Sequence, residues 1–170
     1  PLNKILTLII FGLLEKGAIE QSAETPLTVS VKPAYQTWQD AEMRKSIKAR
    51  RAYRRQAAQQ AGTVIHSYED PFLDQLERNP GKPVERIDFT QAIDNLLKLT
   101  ADKMKGFDLS DTQEYYRRVI DRAMQQAAAL GDIQQREQYL DKYLPWVMMG
   151  EQYPTVLTNR GYQYWPAWSR

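Results

Sequence analysis

An uninterrupted uncharged run, Ile5-Leu6-Thr7-Leu8-Ile9-Ile10-Phe11-Gly12-Leu13-Leu14, opens the chain and is bounded by Lys4 and by Glu15-Lys16. The pattern predicts a short helix over residues 4–16, with Gly17 as its stop. Ten helical residues reach about 15 Å, roughly half of a ~30 Å hydrocarbon core, so the run is too short to span a bilayer. Its length and the preceding lysine fit a signal-peptide core, whereas Glu15, Lys16 and Glu20 make a poor cleavage region. Three placements are open: a buried or docked helix, which is preferred, a segment lying on a membrane surface through residues 5–14, or a signal remnant.

Residues 25–33 alternate apolar or β-branched positions with polar ones between Pro26 and Pro33, which predicts one short strand or an extended arm. A single strand makes no sheet, so its pairing partner is expected on another molecule. From Thr37 to Ala61 there is neither glycine nor proline, and alanine, arginine, glutamine and lysine dominate. These strong helix formers predict one helix, stopped by Gly62. Residues 63–83 are broken by Pro71, Pro80, Gly81 and Pro83 and read as connector, with room for a one- or two-turn helix over 71–78 capped by Asp70.

Asp88 to Lys105 has the clearest helical period, with Phe89, Ile93, Leu96, Leu97 and Met104 on one face and Gly106 beyond. Ser110 followed by Gln113 is a capping-box pattern for a helix running to about Leu130, with Tyr116, Val119, Ile120, Ala123, Met124 and Ala127 on one side. A further helix is expected over 132–143, ended by Pro145. The remainder has no steady period and reads as irregular. The expected fold is therefore mainly α: a small helical bundle of three to five helices with an extended N-terminal arm and an irregular, aromatic-rich C-terminal tail. The expected regions are 1–36 (apolar helix and arm), 37–144 (helical domain) and 145–170 (tail). No repeat of solenoid length is present.

Composition adds bounds rather than identity. Hydrophobic residues at 42% and charged residues at 26% are ordinary globular values. A mean hydropathy of -0.62 leaves much of the chain wet. With no cysteine there is no disulfide framework and no thiolate nucleophile or ligand, and a lone histidine, His66, excludes multi-histidine zinc sites. No metal and no cofactor is expected. His66 stands near Glu69 and Asp70 but reads as an ordinary loop histidine. Asp108 and Asp111 read as helix-cap acids. No catalytic set of nucleophile and base is evident, so the chain is not expected to be an enzyme.

The net charge of +2 conceals a local imbalance: seven cations and no acid lie between Arg44 and Arg55. At ~100° per residue, Arg44, Lys48, Arg51 and Arg55 fall within about 40° of one direction. Arg50 and Arg54 form a flanking ridge, and Lys45 lies to the other side. Like charges at i,i+4 repel by a few tenths of a kcal/mol per pair, so compensation is expected from outside the helix. The candidate counter-charges are the phosphates of a nucleic acid, an acidic surface on another protein subunit, and anionic lipid headgroups. The plain alternative is a solvated face. No helix-turn-helix or zinc-finger context accompanies the stripe, so nucleic acid would be held by its backbone, without base readout.

Eight of the 18 aromatic residues fall between Tyr139 and Trp168. Trp146, Tyr153, Tyr162, Tyr164, Trp165 and Trp168 are the candidate interface residues of the tail, since tryptophan and tyrosine bury large rigid areas at low entropy cost. The preferred alternative is that they pack back onto the helices; stacking on the bases of a single strand is the third, disfavoured by the few cations of the tail. The expected function is a non-enzymatic structural or assembly subunit of a larger complex, docking other protein subunits through the basic helix and the aromatic tail. The alternative is a sequence-independent nucleic-acid-binding protein using residues 44–55. The compartment stays open.

Overall fold

The computed structural model describes residues 2–159 and 161–170; Pro1 and Arg160 lie outside them. The fold is mainly helical, as expected. Among the described residues there are eight α-helices and two two-stranded sheets, so the expectation of three to five helices was too low. The excess comes from short or divided segments, which carry too few turns to show a period. The described residues form two units, Ile9–Lys105 and Pro1–Leu8 with Gly106–Arg170. The first helix, α1 (Leu2–Glu15), contributes to both.

In the unit Ile9–Lys105, the apolar run supplies core rather than a free arm: Ile9, Ile10, Leu13 and Leu14 are buried. Gly17, at φ +66°, turns the chain back, and the amides of Gly17 and Ala18 bond the carbonyls of Leu14 and Leu13. No helix among the described residues is long and apolar enough to cross a membrane. The chain then forms a hairpin, β1 (Ile19–Ala23) antiparallel to β2 (Thr28–Val31), in the register Ile19↔Val31 and Gln21↔Val29. This corrects the expected extended arm with a partner on another molecule. The partner strand lies five residues upstream, where only Ile19 is buried and Glu20-Gln21-Ser22 shows no alternation to detect.

The single helix expected over 37–61 is two, α2 (Ala41–Lys45) and α3 (Ile47–Gln60). Asp40 caps the first by accepting from the amides of Glu42 and Met43, both at 2.8 Å. Ser46, in an extended conformation, caps the second by accepting from the Ala49 amide at 3.2 Å. Short polar side chains that bond the backbone locally compete with helix continuation. Helix α4 (Asp70–Arg78) buries Phe72, Leu73 and Leu76, and the Phe72 ring stacks on Phe89 at 5.6 Å. Asp70 is not its cap but its first residue, and is buried. Helix α5 (Thr90–Lys103) follows, with Ala92 buried and Leu97 exposed.

In the second unit, α6 (Leu109–Ala129) is capped by Asp108, which accepts from the Asp111 amide at 2.9 Å. The expected Ser110 lies inside the helix instead. Asp132 caps α7 (Ile133–Met149) in the same way, accepting from Gln135. That helix runs through Pro145 rather than ending at it. Its buried face, Leu140, Leu144, Val147 and Met148, continues across the proline, and burial of that face offsets the missing backbone bond. Lys4 donates to the carbonyls of Met149 and Gly150 at 3.0 and 3.2 Å, completing the helix end. The tail is partly regular: α8 (Tyr153–Leu157), then β3 (Thr158–Asn159) paired with β4 (Tyr162–Gln163), then a 3-10 turn at Ala167–Ser169.

Candidate functional site

The basic stripe resolves into three kinds of cation. Arg50 and Arg54, the flanking ridge of α3, are buried and meet a row of acids on α4, Asp70, Asp74 and Glu77, spaced i, i+4, i+7. Every N–H of the Arg54 guanidinium has an acceptor. Nε donates to the Tyr35 carbonyl at 3.1 Å, Nη1 to Asp74 Oδ1 at 2.7 Å and the Asp70 carbonyl at 3.3 Å. Nη2 donates to Glu77 Oε2 at 2.9 Å and to Thr37 Oγ1 at 3.2 Å. Glu77 in turn accepts from the backbone amides of Thr37 and Trp38. Five donors fully met is what lets this side chain sit at 0% exposure.

Arg50 grips Asp74 with two bonds, Nε–Oδ1 at 3.3 Å and Nη2–Oδ2 at 3.0 Å, and spends Nη1 on the carbonyls of Met43 and Arg44. The latter bonds close the break between α2 and α3. Its guanidinium lies 4.7 Å from the Trp38 ring centroid, and that of Arg78 lies 5.1 Å from the same ring. Asp70 is held more loosely: Oδ1 is 3.6 Å from Arg54 Nη1 and Oδ2 is 3.7 Å from Arg51 Nε. Burial raises its carboxyl above the usual carboxylate range, against the pull of Arg54 and Arg51.

The sequence placed the counter-charge of the stripe on another molecule; for Arg50 and Arg54 it stands on α4 of the same chain. A signal for this was present, because the acid row at 70, 74 and 77 has the spacing of a helix face. The remaining cations differ. Lys45 pairs with Glu42 at 3.0 Å on the surface, and Arg51 is half-exposed beside Asp70. Arg44, Lys48 and Arg55 are exposed, with no ion pair among the described residues.

The aromatic candidates divide as well. Tyr164 is buried and donates to Asp141 Oδ1 at 2.6 Å; Tyr162 donates to Glu137. Arg170 bridges the same two carboxylates. Burial first, then the Asp141 hydrogen bond, pushes the Tyr164 phenol far up. Tyr153 is half-buried with Lys4 Nζ 5.5 Å from its ring centroid, Trp168 is half-buried and Trp165 is exposed. These tail aromatics therefore differ in burial, and only Trp165 is exposed.

Trp146 is different. On α7 it stacks on Tyr116 of α6 at 5.9 Å and 15°, and Tyr116 meets Tyr115 edge-on at 5.3 Å. Tyr115 and Trp146 border a groove of about 550 Å³ between α6 and α7, lined also by Arg118, Arg122, Tyr139 and Tyr143. Tyr115 is 63% and Trp146 37% exposed. Tyr139 anchors the far end by donating to Gln126 at 2.8 Å. Tyr115, Arg118 and Arg122 were not among the sequence candidates. Tyr116 had been assigned to the apolar face; it is exposed, and the only hint was the doublet Tyr115-Tyr116-Arg117-Arg118.

His66 joins no acid–base set. Its ring stacks on Tyr68, and its backbone amide donates to Glu69, whose carboxylate also takes Lys16 Nζ at 2.7 Å on both oxygens. Among the described residues no cluster of three or more His, Cys, Asp or Glu is placed to hold a metal ion. The chain matches no family model, and neither a curated protein nor a solved structure is similar to it.

Proposed function

We propose that this protein is a non-enzymatic assembly subunit that docks another protein through the α6–α7 groove. The observation that carries the reading is the exposed Tyr115, Tyr116 and Trp146 cluster beside Arg122, a cation with no ion pair among the described residues. Contiguous exposed aromatics of this kind are what a partner buries, and Trp, Tyr and Arg dominate the energetics of interfaces. Residues 106–170 carry seven Lys or Arg and eight Asp or Glu. That balance suits a protein partner better than a phosphate backbone, which calls for a cationic track. The reading keeps Trp146 as an interface residue and gives Arg50 and Arg54 a structural role.

A second reading, sequence-independent binding of nucleic acid, is favoured by one observation: Arg44, Lys48 and Arg55 point outward without acids. It rests on three cations rather than the seven counted along the helix. The two readings separate by co-purification of the tagged chain from its native source. A protein partner retained by Lys48→Glu with Arg55→Glu, and lost by Tyr115→Ala with Trp146→Ala, supports the first. A wild type that retains no protein partner but binds nucleic acid, with a salt slope that flattens in the charge-reversed variant, overturns it.

A further inference from the structure

On the groove side of α6, Asp111, Tyr115, Arg118 and Arg122 stand at i, i+4, i+7 and i+11, so they form one line along the helix. The line is about 16 Å long and runs acid, aromatic, cation, cation. Arg118 already pairs with Glu114 one turn away. Asp111 and Arg122, the two ends, are exposed and have no ion pair among the described residues. Such an order is self-complementary in one orientation only. A second copy laid antiparallel, with a two-fold axis between residues 116 and 117, brings Asp111 opposite Arg122 and Tyr115 opposite Arg118. Both pairings then occur twice, because a two-fold interface uses the same patch on each side. A parallel arrangement would set Asp111 against Asp111 and Arg122 against Arg122.

From this order we infer that the occupant of the α6 flank is a second copy of the chain, paired antiparallel about its Tyr115 region. The inference rests on the reading of the groove as a protein-docking surface and names the partner. The exposed Tyr115 ring lies next to the axis, where water is most fully excluded and aromatic contacts count most. Arginine facing tyrosine adds a cation–π contact that does not require breaking the Glu114 pair. The two terminal ion pairs fix the direction and register of the pairing.

The test uses the full chain in sedimentation equilibrium across a concentration series at low salt. The wild type is expected at twice its 19.8 kDa mass. Asp111→Arg and Arg122→Asp alone each place like charges at both ends and are expected to weaken self-association roughly tenfold or more. Mixing the two single variants restores opposite charges at both ends and with them the dimer, and the double variant D111R/R122D does the same. A wild type that stays at 19.8 kDa at every concentration overturns the inference. So do single variants that dimerise as well as the wild type, a species larger than the dimer, and singles whose mixture fails to dimerise. A monomeric wild type whose Tyr115→Ala, Trp146→Ala variant still loses a different protein overturns only the identity of the occupant, and leaves the docking reading standing.

Discussion

Arg54 Nη1 stands 2.7 Å from Asp74 Oδ1, on a side chain with no exposed surface. This one contact changes the meaning of the most conspicuous feature of the sequence. A guanidinium in that position works as a joint between α3 and α4, drawing in Asp74, Glu77, Thr37 and the carbonyls of Tyr35 and Asp70. Ion pairs taken out of water stabilise only when their remaining donors and acceptors are met, and here those of Arg54 are.

Removing that joint takes from Glu77 its only cation among the described residues and leaves Asp74 to Arg50 and Asp70 to Arg51. Arg54→Ala is expected to lower unfolding free energy by about 3–5 kcal/mol, while Lys48→Ala on the exposed side of the same helix stays within about 0.5 kcal/mol. Urea titrations followed by circular dichroism measure both. Equal small effects would mean that the network carries no stability.

Asp70 gives a pH dependence whose sign can be worked out. Burial raises its carboxyl in the fold above the ordinary 3.8, so the folded chain holds the proton more tightly than the unfolded one. Stability contributed by this residue therefore falls as pH rises from 3.8 through the folded value. Asp70→Asn cannot ionise, so its stability relative to wild type is expected to increase as pH rises from 3.8 through the folded value. A variant that loses ground over the same interval would show that Arg51 and Arg54 outweigh burial.

Tyr164 acts at the alkaline end. Its phenol is raised well above 10.0 by burial and by its bond to Asp141. The unfolded chain loses this proton first, so stability falls as pH rises beyond about 10. Tyr164→Phe is expected to cost about 1 kcal/mol at neutral pH, from the lost bond, and to shrink the alkaline fall in melting temperature. An unchanged alkaline fall would place the titrating group elsewhere.

Much of the architecture was legible where the signal is local. The helices α1, α5, α6 and α7, the strand over 28–31 and the cap acid Asp108 before α6 follow from short-range periods and from side chains that bond their own backbone. The strand's partner was not legible, because Glu20-Gln21-Ser22 is exposed and so carries no alternation. Pro145 was read as a stop because the local rule is strong. The packed face of Leu140, Leu144, Val147 and Met148 overrides it.

The candidate site shows the same division. A helical wheel places Arg50 and Arg54 beside the stripe, and places Tyr115, Arg118 and Arg122 on one flank, but it does not tell which flank meets α4 and which meets water. Composition and period alone determined a cysteine-free, mainly helical chain with a concentrated run of cations. Which cations became joints, which stayed outward, and which tyrosines came to border a groove with Trp146 was decided by tertiary packing. The reason is physical: charge pairing and burial depend on distance between elements far apart in the chain, and local spacing constrains direction without constraining what stands opposite.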